Sequence, residues 1–494
     1  MTLPTIATVP RARPVVELGV GNSYDPQGTA LWHQSRWGDP AATWSGRDPY
    51  WIDITCFVHD VETFVGRERS TETWEVGTAS LTVDNKTGMF DYPATVTVPG
   101  AVDPLLDVRP GRDVRIGIAV DGNPDAKWLW YGVLDGMEPG YDPEQGDICS
   151  FTCIDAKGDG GRPHLAAVET AVGADETASA RIGRILNAAS WPSWRRAIDA
   201  STVNVIATNL GARAVDMLND TAEASGGSVF GDPQGRITYR ARDWQTATVD
   251  TPTDGTISNN PKPDLFVDLP QDPPGSGLFD PGGFAFTEDP AASGLYRLDD
   301  PAMTLTEDPA GSHLYAFDET RPPQVCPTNW EVNFERTDFP TRIIMGRTGQ
   351  PPITLNNTQG IAALGVETYE RTDLITSSDA DVSQIANRIL VTRSYKLAPR
   401  VKAVTIDAGA DPEAVDLLVA ATPYKPARVA CSHRVGDRHV FSRLMLVVGV
   451  SHTISPDGWT ARLALDDAGP YAAGTGGRWQ TTGQWKQTTW SRPP

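Results

Sequence analysis

The nineteen residues 74–92, WEVGTASLTVDNKTGMFDY, constrain the fold of this chain more than any other stretch. Ala79, Leu81 and Val83 alternate with Ser80 and Thr82, the period of a strand with one buried face. Asp84-Asn85-Lys86-Thr87-Gly88 then interrupts it with residues that favour turns or tolerate positive φ. Met89, Phe90 and Tyr92 follow as apolar and aromatic anchors, and Pro93 stops any regular ladder. The segment offers a strand and a corner rather than a nucleophile, a general acid or a metal ligand. That is the chemistry of scaffolding.

A chain of 494 residues exceeds one core and should divide into roughly three to five domains. Its net charge of −21 argues against a nucleic-acid-binding surface, which needs clustered Lys and Arg. The same charge disfavours an anionic membrane surface and fits protein partners. The opening MTLPTIATVPRARP lacks the apolar core of a secretory signal, and no run of eighteen apolar residues predicts a membrane segment. Of five cysteines, Cys149 and Cys153 flank Phe151, so alternation puts all three on one strand face as small core residues. With Cys56, Cys326 and Cys431 scattered, we expect no disulfide framework and synthesis in a reducing cytoplasm. Fifteen tryptophans, 46 glycines and 40 prolines suggest many short strands with tight turns, and aromatic surfaces for packing or subunit contacts.

Seven regions follow from the pattern. Residues 1–50 read as an irregular N-terminal arm carrying Trp32, Trp37 and Trp44. Residues 51–160 hold five alternating segments, from WIDITCFVHDVETFVGR to DICSFTCIDA, with Asp121-Gly122-Asn123-Pro124 as a hairpin turn, and read as a small antiparallel barrel or sandwich. Residues 161–245 form an α/β module. One helix opens near Glu176 with Ile182, Ile185 and Leu186 on a stripe, and a second spans 212–224 with Ala214, Val215, Met217 and Leu218. A hairpin over 228–240 completes it.

Residues 246–325 are an acidic insertion with three near-copies of one unit, their Asp-Pro steps beginning at 272, 289 and 308. They predict small stacked β-turn units. Residues 326–399 read as an α+β module with a helix over 380–393. Residues 400–470 return to strands (VKAVTID, DLLVAATPY, RVACSH and GWTARLALDD), with Pro456-Asp457-Gly458 as a tight turn. Residues 471–494 place Trp479, Trp485 and Trp490 on a flexible polar tail that would order on a partner.

Catalytic motifs are missing: there is no G-x-S-x-G elbow, P-loop, H-E-x-x-H or dinucleotide fingerprint. Cys431, His433, His439 and His452 lack the C-x-x-C or H-x-x-x-H spacing of a zinc site and read as wall residues of a strand pair. Glu288-Asp289 and Glu307-Asp308 could contribute to the six to eight oxygens that calcium wants, but a solvated acidic face needs no metal. Paired carboxylates for glycoside hydrolysis are too easily found among so many acids to carry meaning. Tyr296 and Tyr315 could stack on sugars, or pack into their own small core. We therefore assign no catalytic, cofactor or metal residue. The candidate interaction surface is Tyr296, Tyr315, Trp479, Trp485 and Trp490.

Four motifs carry a family resemblance. The strand ending in D-N-x-x-G-x-F/Y at 84–90 is one, and L-x-x-R-P-G-x-x-V-x-I at 106–116 is a second. The helix followed by GGSVFGDPQGRITYRAR is a third, and the closing M-x-V-V-G-V-S-H-T-I-S-P-D-G-W-T-x-R-L-x-L is the fourth. Together they resemble the minor tail proteins of long-tailed phages of Actinobacteria, of the tail-hub type. The resemblance implies a β-rich α+β multidomain fold with two tail-tube-like β-barrel domains, helix-containing modules and a β-repeat insertion. It further implies a non-enzymatic homotrimer closing the distal tail tube of the virion, assembled in the host cytoplasm. Its partners would be the distal tail protein, the tape measure protein and other minor tail or receptor-binding proteins, with genomic DNA only in passage. A hexameric distal tail protein is the alternative within tails. A carbohydrate-binding, receptor-binding or cell-wall-degrading tip protein is the rival from another class.

Overall fold

The computed structural model describes residues 12–20, 50–69, 72–91, 108–120, 126–142, 146–167, 171–242, 244, 254–258, 324–333, 339–394, 400–411, 413–435 and 438–468. It also describes the backbone of six short strands between 266 and 317. The rest of the N-terminal arm, Tyr92, Pro93, the Asp121–Pro124 turn, the turns of the acidic repeats, and Trp479, Trp485 and Trp490 lie outside the described residues.

The first strand group contains β1 (Ala12–Val20), β2 (Tyr50–Asp53), β3 (Val58–Gly66), β4 (Thr78–Asp84), β5 (Asp113–Val120), β6 (Lys127–Asp142) and β7 (Gly146–Asp155). They run in the order β2-β1-β5-β6-β7-β4-β3, each antiparallel to its neighbours. β1 falls in the stretch expected to be irregular. Pro14 and the adjacent Val15 and Val16 break its alternation, yet all three are buried, Val16 within the core. On β4, Ala79, Leu81 and Val83 are buried, as their period requires, and Cys149, Phe151 and Cys153 face the same core from β7.

The corner after β4 is built by Asn85, which is 1% exposed. Its Oδ1 accepts the Phe90 N–H at 2.8 Å and its Nδ2 donates to Asp91 at 2.7 Å. Gly88 turns the chain at φ +65°, the left-handed region that glycine enters without a Cβ clash. Phe90, fully buried, then meets Phe57 and Phe151 edge-on at 5.9 and 5.4 Å.

The chain continues through α1 (Ala156–Gly161), β8 (Glu176–Thr177), α2 (Ala178–Ala188), β9 (Arg196–Ile198), β10 (Asn204–Val205), α3 (Ala214–Ser225), β11 (Ser228–Gly231) and β12 (Ile237–Arg240). Thr177 caps α2 through the Ala180 N–H. Gly226 ends α3 in the left-handed conformation. Ile182, Ile185, Leu186, Met217, Leu218 and Tyr239 form a second core between the helices and the β11-β12-β9 sheet.

β13 (Gly255–Ser258) leads to the insertion, whose strands are β14 (Phe266–Asp268), β15 (Leu278–Phe279), β16 (Phe286–Glu288), β17 (Leu295–Leu298), β18 (Thr304–Glu307) and β19 (Leu314–Phe317). These form one antiparallel sheet, ordered β14-β19-β18-β17-β16-β15. Within it β15 to β19 follow one another as neighbouring antiparallel strands, with Leu295 and Tyr296 opposite Thr306 and Leu305, and the turns expected to stack lie outside the described residues.

Next come β20 (Gln324–Val325), β21 (Asn329–Asn333), β22 (Arg342–Arg347), β23 (Ile353–Asn356), α4 (Thr358–Leu364), β24 (Thr368–Leu374) and α5 (Asp379–Ser394). Ile343, Met345 and Leu374 of the β23-β22-β24 sheet pack on Val382, Ile385 and Ile389 of α5. The last group is β25 (Arg400–Asp407), α6 (Ala414–Ala420), β26 (Arg428–Val435), β27 (Arg438–Ser455) and β28 (Gly458–Asp467). The DLLVAATPY segment, residues 416–424, is expected from the sequence to be a strand, but its first five residues belong to the helix Ala414–Ala420. Ala414, Val415, Leu417 and Leu418 bury one helical face, and a short continuous apolar run does not distinguish the two periods.

The two strand groups are continuous. β27 carries β26 beside residues 438–446 and β3 beside 449–454, end to end along one edge, with β28 on the other. The result is a 14-stranded sheet, and within the described residues no sheet closes on itself. At the seam a Cβ on Gly66 would lie 2.4 Å from the Gly449 Cα, and Gly66 has φ +116°, so both the space and the backbone require glycine.

Candidate functional site

Of the candidate surface residues, only Tyr296 and Tyr315 have a described backbone, and Trp479, Trp485 and Trp490 lie outside the described residues. Tyr296 sits on β17 opposite Glu288 and Leu305, and Tyr315 on β19 opposite Glu307 and Val267, with β18 between them. The most elaborate polar site lies elsewhere, where the two strand groups and the helical module meet.

Asp155 ends β7 and caps α1. Its Oδ1 accepts the Gly158 N–H at 2.8 Å, its Oδ2 accepts the Gly77 N–H at 2.9 Å, and the Gly231 N–H also bonds to it. One carboxylate thus ties α1, the approach to β4 and the end of β11. A Cβ on Gly77 would lie 2.8 Å from Oδ2 and one on Gly231 2.7 Å from Cγ, so glycine is what lets those backbones come so close. Burial pushes the Asp155 carboxyl up to about 6, against the opposing pull of its backbone donors and Lys157. Lys157, fully buried, donates Nζ to the Trp74 carbonyl, and burial lowers it to about 8 although Asp155 acts the other way. The Trp74 ring stacks on Phe230 at 4.3 Å, and Tyr424 closes the cluster at 6.3 Å from Trp74 and 6.0 Å from Phe230.

Beside this junction opens a cleft of about 250 Å³, with Trp128, Phe230 and Tyr424 on its walls and Asp232, Arg236 and Lys425 among its polar residues. The Asp232 carboxylate accepts the Gln234 and Arg236 N–H groups at 3.0 Å, Arg236 Nε at 2.8 Å and the Thr238 hydroxyl at 2.8 Å. Lys425 donates to Asp254 at 2.7 Å. These charges hold turns and neighbouring segments together. A second buried pair, Asp113 with Arg195 at 3.4 Å, joins β5 to the segment before β9, with the guanidinium 4.9 Å from the Trp191 ring. The site's chemistry is that of fixing modules in register.

The Cys/His group reads likewise. Cys431 is buried with its thiol pushed up by desolvation. His452, on β27, is buried, accepts the Trp459 indole N–H at 3.4 Å, and is lowered to about 4 by burial. Among the described residues no group of three or more His, Cys, Asp or Glu is disposed to hold a metal ion. No described helix is long and apolar enough to cross a membrane. All five cysteines are free thiols. Sequence reasoning missed Asp155 and Lys157. The available signal was Asp155-Ala156-Lys157-Gly158, an N-cap residue at the end of an alternating strand with a glycine three positions on.

No protein-family model and no curated protein matches the chain. Among solved structures it is similar to the tail protein from Neisseria meningitidis MC58, at 9% identity over 93% of this chain and 97% of that one, with a TM-score of 0.49. It is also similar to the 43 kDa tail protein of prophage MuSo2 from Shewanella oneidensis, at 9% identity over 92% and 99%, with a TM-score of 0.49. A type VI secretion system component from E. coli aligns at 8% identity over 84% of this chain and 75% of that one, with a TM-score of 0.39.

Proposed function

We propose that this chain is a structural minor tail protein of a long-tailed phage, a hub whose three copies form a ring at the distal end of the tail tube. One observation carries the reading. The first and last of the four family-like motifs, some 370 residues apart, lie in one sheet with only β3 between them, in the order β4-β3-β27-β28. In this reading the two strand groups are the two tail-tube-like units of the chain, so three chains present six such units to a hexameric tube. The strands β2, β20 and β21 each pair on one side only among the described residues, which leaves edges for neighbouring copies to cover.

The ring encloses a channel for the tape measure protein and then DNA, and the acidic character of the chain keeps the duplex from adhering. Its neighbours are the distal tail protein and the tip or receptor-binding proteins, and its role is not enzymatic. Mass photometry of the purified chain, with a symmetry-resolved map of the tail tip, tests this: three copies in a ring are expected. A monomer at micromolar concentration with no ring at the tip would refute it. Clearing on a cell-wall zymogram would refute the non-enzymatic part.

A further inference from the structure

We infer that the cleft walled by Trp128, Phe230 and Tyr424 is a binding site for an aromatic carboxylate. Its walls come from distant parts of the chain: Trp128 from β6, Phe230 from β11, Tyr424 from the segment after α6, and His452 from β27. The aromatic walls are fixed before any ligand arrives. The Arg115 guanidinium lies 4.0 Å from the centroids of both the Trp128 and Trp51 rings, and Glu17 accepts its Nε–H at 2.5 Å. Phe230 is held by its stack on Trp74. Walls that are already rigid lose little conformational entropy on binding. A cavity of about 150 Å³ takes a benzene ring, so about 250 Å³ leaves room for a ring and the carboxylate attached to it.

The polar groups left over are donors. His452 is 4% exposed, and its Nδ1 accepts the Trp459 indole N–H. Burial keeps the imidazole neutral by lowering it to about 4, so its single proton sits on Nε2. That N–H has no hydrogen-bond partner among the described residues, and neither has the Tyr424 hydroxyl. Their acceptor must come from whatever enters the cleft.

The charges choose the sign of that acceptor. Arg236, Arg240 and Lys425 line the cleft against Asp232 alone. Asp232 is already committed to two backbone N–H groups, Arg236 Nε and the Thr238 hydroxyl. The carboxylates that pair Arg240 and Lys425, Asp199 at 3.0 Å and Asp254 at 2.7 Å, stand outside the described walls. The positive charge of these two residues within the cleft is therefore only partly offset. A carboxylate brings two acceptor oxygens for two neutral donors and one negative charge for this set, while its ring meets the aromatic walls.

Calorimetric titration of the full chain tests this with three probes: N-acetylphenylalanine, its amide, which lacks the charge, and N-acetylalanine, which lacks the ring. One saturable site is expected for the acid, at least about tenfold tighter than for either control. Tyr424→Phe removes only a hydroxyl and should weaken the acid about threefold, and His452→Phe should weaken it about tenfold. In nitrogen-15 spectra the His452 Nε2 signal should move on adding the acid and stay in place with the amide. A hexapeptide ending in Phe and free phenylacetate separate the two sources of this chemistry. Tighter binding of the peptide assigns the site to the terminus of a partner protein, and equal binding assigns it to a free small acid. No saturable binding, equal affinities for acid and amide, an unmoved His452 signal, or binding untouched by both substitutions would each overturn the assignment.

Discussion

Replacing Asp155 with Ala tests the junction directly. The substitution removes the acceptor of the Gly77, Gly158 and Gly231 N–H groups and leaves Lys157 buried without its counter-charge. Removing one member of a buried pair costs about 3–5 kcal/mol, a range that includes about 1 kcal/mol for a lost N-cap. The cost depends on pH with a definite sign. The carboxyl titrates near 3.8 in a free chain and at about 6 in the fold, a difference worth roughly 3 kcal/mol. Between those values the native state holds the extra proton, so this group's contribution is full below pH 3.8 and is lost as pH rises through 6.

His452 acts oppositely. It is lowered from 6.5 to about 4, so its contribution is lost as pH falls from 6.5 to 4. The two slopes largely cancel between pH 4 and 6 in the intact protein, and the comparison with Asp155→Ala isolates the carboxylate. We expect that variant to be destabilised by about 3 kcal/mol more at pH 4 than at pH 7, read as the opening free energies of the Gly77, Gly158 and Gly231 amides by hydrogen exchange. A loss below about 1 kcal/mol at both pH values, or the same loss at each, would show that the carboxylate does not hold the three segments together.

Three further outcomes are expected. His452→Phe removes the opposing slope, so stability measured by urea titration should decline by roughly 3 kcal/mol between pH 4 and 6.5; a flat profile would contradict the balance of the two groups. Phe90→Ala vacates the centre of the corner cluster and should cost about 3–5 kcal/mol in the same titration. Gly66→Ala forces a Cβ into the Gly449 backbone at positive φ, and exchange should accelerate across 449–454 while residues 182–186 of α2 stay protected.

Local patterns in the sequence translated well into structure. The alternation at 79–83 and the Asn85–Gly88 corner depend on neighbours within a few residues, and both are in place. The stripes of α2, α3 and α5 repeat at helical spacing over two or more turns, enough to outvote chance. The apolar run at the start of DLLVAATPY is too short for that, and the segment reads as a strand although it begins within α6. The joining of β3 to β27 depends on residues almost 400 positions apart, and its local trace is two glycines, Gly66 and Gly449, among 46. The junction was hidden for a related reason. Asp155 looks like an ordinary cap until Gly77 and Gly231 arrive from distant parts of the chain to share its oxygens.

The placement of β27 has a mechanical consequence. Over 449–454 it is hydrogen-bonded on both edges, to β3 and to β28, and its 18 residues extend well past that clamp. A pull along β27 from its β26 end would strain all the rungs of the β3 seam together, in shear, instead of peeling them one at a time. Displacement of the C-terminal strands would then pass to β3 and β4 as a rigid translation, with little lost to local bending.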